Sequence, residues 1–135
     1  MASTNKGIQI VSDFVQAINH LTDYTATRTS ISRQVFEIAS SKNCLFYVKS
    51  RSAYPFKWGV TANVIDRLNN QDLPWFVILL FLSHKTGYLL SSNDVSYYIK
   101  NVWPLAADGD YKPAERTYLQ KNNPFNSLKE CIDQL

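Results

Sequence analysis

From Lys6 to Leu21 apolar residues fall at Ile8, Val11, Phe14, Val15, Ile18 and Leu21. Steps of three and four predict an amphipathic helix, with Ser3 or Thr4 available as its cap. The period then shortens. Tyr24 to Ser30 is aromatic and β-branched and alternates in polarity, Gln34 to Ala39 continues in kind, and Cys44 to Ser50 follows after the polar SSKN, which predicts three short strands, the last two a hairpin.

Beyond the loop around Pro55 and Gly59, Val60, Val64, Ile65 and Leu68 mark a second helix that stops at Asn69 and Asn70. The run Trp75 to Leu82 has no polar residue to show water on either side and reads as a strand central in a sheet. Gly87 to Leu90 is a strand paired to it. Ser91 to Asp94 caps a helix that turns Val95, Tyr98, Ile99 and Val102 inward and ends at Trp103-Pro104. Residues 106 to 126 are polar, turn-rich and carry no clear period. Ser127 with Glu130 forms a capping box for a last helix striped by Leu128, Cys131, Ile132 and Leu135. No repeat or linker divides the chain, so the pattern predicts one mixed α/β domain, residues 1 to 135. Its core spans about 6 to 90 and a helical extension about 91 to 135.

Composition agrees with a folded domain: of 135 residues 45% are hydrophobic and 19% charged, and a chain this long buries roughly two thirds of its unfolded surface. Disordered and collagenous classes are excluded. The net charge of +3 is uneven, with eight basic and four acidic groups in residues 1 to 70. Cys44 and Cys131 sit in apolar patterns and read as reduced core residues. The longest apolar run, eight residues, is too short to span a membrane, and the N-terminus lacks a signal-like stretch, so the expected setting is cytoplasmic. Four isolated glycines exclude a phosphate loop and a dinucleotide fingerprint. His20 and His84 have no partner at zinc-ligand spacing and offer little to activate a nucleophile.

One constellation carries candidate chemistry. Glu37 lies in one predicted strand and Lys49 near the end of the next, followed by a helix and an apolar strand. Here the chain resembles the PD-(D/E)xK nuclease superfamily, the restriction-endonuclease-like fold that includes Holliday-junction resolvases. The resemblance implies an α/β domain with a mixed central sheet flanked by helices. It also implies Mg²⁺ held by acids against a scissile phosphate, with a lysine orienting water. Carried over, Glu37 is the catalytic metal ligand and Lys49 the catalytic lysine, while the second acidic position falls on Tyr47, a poor Mg²⁺ ligand at neutral pH. Asp66 and Asp13 project away from the apolar stripes of their helices and do not replace it. Glu37 and Lys49 share a sheet face only if the hairpin loop is odd in length.

A second signal lies nearby: Lys42, Lys49, Arg51 and Lys57 interleave with Tyr47, Tyr54, Phe56 and Trp58, with no acid from Lys42 to Ile65. Lys42, Arg51 and Lys57 are candidate phosphate contacts, and Tyr54 and Trp58 candidate base-stacking rings. The sequence thus supports a DNA-associated, nuclease-like protein, a Mg²⁺-dependent endonuclease with an altered motif. The alternatives are an inactive module of that fold binding DNA or a protein, and an unrelated α/β protein that forms a homo-oligomer.

Overall fold

The computed structural model describes residues 2–114, 119 and 122–135, with side chains from Lys6 onward. In chain order the elements are α1 (Ala2–Asn19), β1 (Thr25–Arg28), β2 (Val35–Ala39), β3 (Cys44–Arg51), β4 (Val60–Thr61), α2 (Ala62–Asn69), β5 (Trp75–Phe81), β6 (Gly87–Ser91), α3 (Ser92–Asn101), β7 (Asp110–Tyr111) and α4 (Leu128–Asp133). Five strands form one mixed sheet in the order β1-β2-β3-β5-β6. All neighbours are antiparallel except β3 and β5, which run parallel because the connection through α2 crosses over. This is a single small α/β domain.

Alternation along each strand splits the core into two layers. Phe36, Phe46, Val48, Ile78, Leu80 and Leu89 face α1 and α4, meeting Phe14, Ile18 and Cys131. On the other face Val35, Leu45, Tyr47, Val77, Leu79 and Leu90 meet Ile65 and Leu68 of α2 and Val95 and Tyr98 of α3. β5 lies inside the sheet, between β3 and β6, and is buried on both sides as its unbroken apolar run predicts, although the middle strand of the five is β3. Trp58 closes the α2 face: it is 2% exposed and donates its indole N–H to the Leu80 carbonyl at 2.9 Å.

Three expectations need correcting. α1 starts at Ala2, so Ser3 and Thr4 lie within the helix instead of capping it. Val60 begins a two-residue strand paired with β7, and α2 starts only at Ala62. At α4 the Ser127 hydroxyl accepts from the Glu130 N–H, but the Glu130 carboxylate takes the Asn126 N–H, so the box is not reciprocal. The full capping box occurs instead on α3, between Ser91 and Asp94. Among the described residues no helix is long and apolar enough to cross a membrane.

Candidate functional site

The β2–β3 hairpin decides the fate of the Glu37 and Lys49 pair. Ile38 stands opposite Cys44, which leaves a loop of residues 39 to 43, odd in length, and puts Glu37 and Lys49 on one face. They do not meet. Glu37 lies opposite Leu45, so Lys49 is four residues further along β3, roughly 13 Å away at the rise of a strand. Val35 and Tyr47 fill the row between them.

Tyr47 is buried, and its hydroxyl accepts the Thr61 N–H at 3.1 Å, joining β3 to the start of α2. Burial pushes its pKa up, which keeps it a neutral phenol. The carboxylate that acts on Lys49 is not Glu37 but Asp110 of β7. Burial lowers the Lys49 pKa, and the charge of Asp110 opposes that shift. Asp110 packs over Gly59, where a Cβ would stand 2.8 Å from its Oδ2, and lies 3.8 Å from Lys112 Nζ. Among the described residues no group of three or more His, Cys, Asp or Glu side chains gathers as metal donors. One isolated carboxylate beside a phenol already engaged with backbone does not fit the two-acid Mg²⁺ site that the nuclease resemblance implies.

The sequence-adjacent basic patch divides. Lys42 sits in the hairpin before β3 and Arg51 at the end of β3, with roughly 23 Å of strand between their ends. Trp58 is a core residue and presents no face for stacking. Arg51, Tyr54 and Lys57 stay exposed near the C-terminal end of β3.

At that end of the sheet the structure assembles a groove that the linear pattern does not show. One stretch, of about 700 Å³, runs between α1 and the β1–β2 edge past Arg28, Arg33 and Phe36. A second, of about 310 Å³, continues to Arg51, Ser52 and Ala53. Gly7, Ile8, Gln34 and Ser50 border both. Among the described residues the lining contains three arginines and no carboxylate.

Its walls are pinned locally. Ser50 Oγ donates to the Gly7 carbonyl at 2.7 Å, fastening α1 to β3. The Thr29 to Gln34 turn is held by Thr29 Oγ1 donating to the Val35 carbonyl, by Gln34 N–H donating to Ser32 Oγ, and by Arg67 of α2 donating to the Ile31 carbonyl at 2.6 Å. Lys49 Nζ donates to Gln34 Oε1 at 3.0 Å, so the ammonium is tied to a groove-lining side chain. Arg28 and Arg33 escape a linear reading because they lie 23 and 18 residues before Arg51 and only strand pairing brings them together. Alternation on β1 was the available signal, since Arg28 shares the face of Ala26. No family model, curated protein or solved structure matches the chain.

Proposed function

We propose that this protein is a nucleic-acid-binding module of the nuclease-like type, which holds a phosphate backbone in the groove between α1 and the sheet and does not cut it. The observation that carries this reading is the lining itself: Arg28 and Arg33 in one stretch and Arg51 in the stretch that adjoins it, with no carboxylate among the described lining residues. Guanidinium groups present forked donors that match phosphate oxygens, and uncompensated positive charge along a track attracts a polyanion. The Arg51 stretch lies at the carboxyl end of β3, the end of a parallel strand being where open α/β sheets commonly take their ligands. With the two-residue β4 set aside, the helix, three-strand, helix, strand order from α1 to β5 supports the nuclease-like comparison. The separation of Glu37 from Lys49, and the use of Tyr47 as a backbone acceptor, favour binding over metal-dependent cleavage.

A gel-shift and cleavage assay on supercoiled plasmid, linear duplex and branched DNA, with and without Mg²⁺, tests it. The expected result is retarded DNA that remains uncut, with binding reduced at least ten-fold when Arg28, Arg33 and Arg51 are replaced together by alanine. Mg²⁺-dependent nicking lost in Glu37→Ala or Lys49→Ala would restore the endonuclease reading. Absence of retardation would remove nucleic acid as the partner.

A further inference from the structure

Resting on the reading above, we infer that the groove takes single-stranded nucleic acid, with Tyr54 and Leu82 as the surface that receives unpaired bases at its Arg51 end. Three large apolar side chains stand open around Arg51: Ile8 is 65% exposed, Tyr54 72% and Leu82 60%. Ile8 lines the groove beside Arg51. Leu82 donates its N–H to the Arg51 carbonyl at 2.9 Å, and Arg51 Nη2 reaches the Pro55 carbonyl at 3.4 Å. Apolar groups and a cation are thus interleaved over a short stretch of surface.

Two features distinguish this patch from incidental exposure. Tyr54 is the outer member of a chain of rings. It meets Phe56 edge-on at 4.9 Å between centroids, Phe56 meets Phe81 at 4.9 Å, and Phe81 continues to Tyr88 and Trp58. The inner rings are buried, so the exposed one is held on a rigid support. Leu82 has φ +68°, a backbone conformation that side-chain-bearing residues rarely adopt, and there it presents an apolar side chain to water. Glycine would adopt that backbone freely.

A duplex shows proteins its phosphates and groove edges but hides its base faces, so an exposed ring and an apolar side chain beside a phosphate channel suit unpaired bases, which they meet without the cost of unstacking a duplex. An acidic peptide would satisfy the arginines but gains little from a flat ring held edge-on to its support.

The test is fluorescence anisotropy with a labelled twenty-nucleotide single strand, with the same strand in duplex, and with an acidic peptide of glutamates and leucines. The expected result is single-strand affinity at least ten-fold above duplex. Tyr54→Ala should weaken the single strand roughly five-fold or more, as loss of one stacking contact does, while Tyr54→Phe retains it and duplex binding is unchanged. Leu82→Gly should weaken the single strand with no loss of thermal stability, which separates a binding role from a folding one. Equal affinity for the two DNA forms, with both still dependent on the arginines, would overturn this inference and leave the nucleic-acid reading standing. Capture of the peptide alone, or of none of the probes, would overturn both.

Discussion

Tyr47 and Lys49 show how a residue's neighbours decide between chemistry and structure. Two residues apart on β3, they share a face, and Lys49 Nζ stands 5.9 Å from the Tyr47 ring centre. Yet the phenol is committed to the Thr61 N–H and the ammonium to Gln34. Lys49 is half-buried, and burial lowers its pKa below 10.5, with Asp110 pulling the other way. The unfolded chain therefore holds the proton more tightly than the folded one, so the charged lysine costs stability at neutral pH. That cost fades as pH rises through the window below 10.5. Lys49→Met should be more stable than the wild type at pH 7, and the gap should close as pH approaches 10.5. Parallel denaturant titrations from pH 7 to 10.5 check this, and the comparison cancels the opposing titration of Tyr47. A gap independent of pH would show that the ammonium is as well solvated folded as unfolded. Cys44 and Cys131 are the other residues settled by burial, which raises their thiols to about 11 and about 12. That agrees with reading both as core from their apolar settings.

At the scale of elements, most of the fold was legible because the long segments carry an unambiguous period. α1, the β2–β3 hairpin, β5 and α3 all fall where spacing puts them, within a few residues at their ends. β4 and β7 were not legible: two-residue strands have no period, and their pairing of Val60 with Tyr111 joins segments 51 positions apart. Capping was legible only in kind. Ser91 and Asp94 close both halves of a box on α3, whereas at α4 the preceding residue competes for the Glu130 carboxylate. Removing the α3 cap should therefore be costly. Ser91→Ala is expected to destabilise the domain by about 1 kcal/mol, as loss of an N-cap does, and to lower the melting temperature by about 3 to 5 °C for a chain of this size. A calorimetric scan reads it directly, and an unchanged midpoint would show that α3 is held by its packed face alone.

At the scale of the molecule, the candidate site was legible only in part, and the missing part is three-dimensional. The sequence groups Lys42, Arg51 and Lys57 because they are close along the chain, but an eight-residue strand carries Lys42 to the far end of the sheet and packing takes Trp58 into the core. Arg51 and Tyr54 keep their place in the reading. Arg28 and Arg33 enter it because β1 ends and β2 begins where β3 and β5 finish, so separate chain segments deliver their cations to one edge. The parity of the hairpin loop was a sound condition, and it is met; what it could not supply is distance along the strand, and distance is what separates Glu37 from Lys49.

The measurement that bears most directly on this account is the salt dependence of binding, read as the slope of log affinity against log salt from 50 to 200 mM. Phosphate contacts at Arg28, Arg33 and Arg51 predict a slope of about −2 on a single strand and nearer −3 on a duplex, each Arg→Ala change making it shallower by about 0.7 and about 0.9 respectively. A slope near zero, or one that keeps its steepness after all three arginines are removed, would contradict the claim that this groove is where the protein holds nucleic acid.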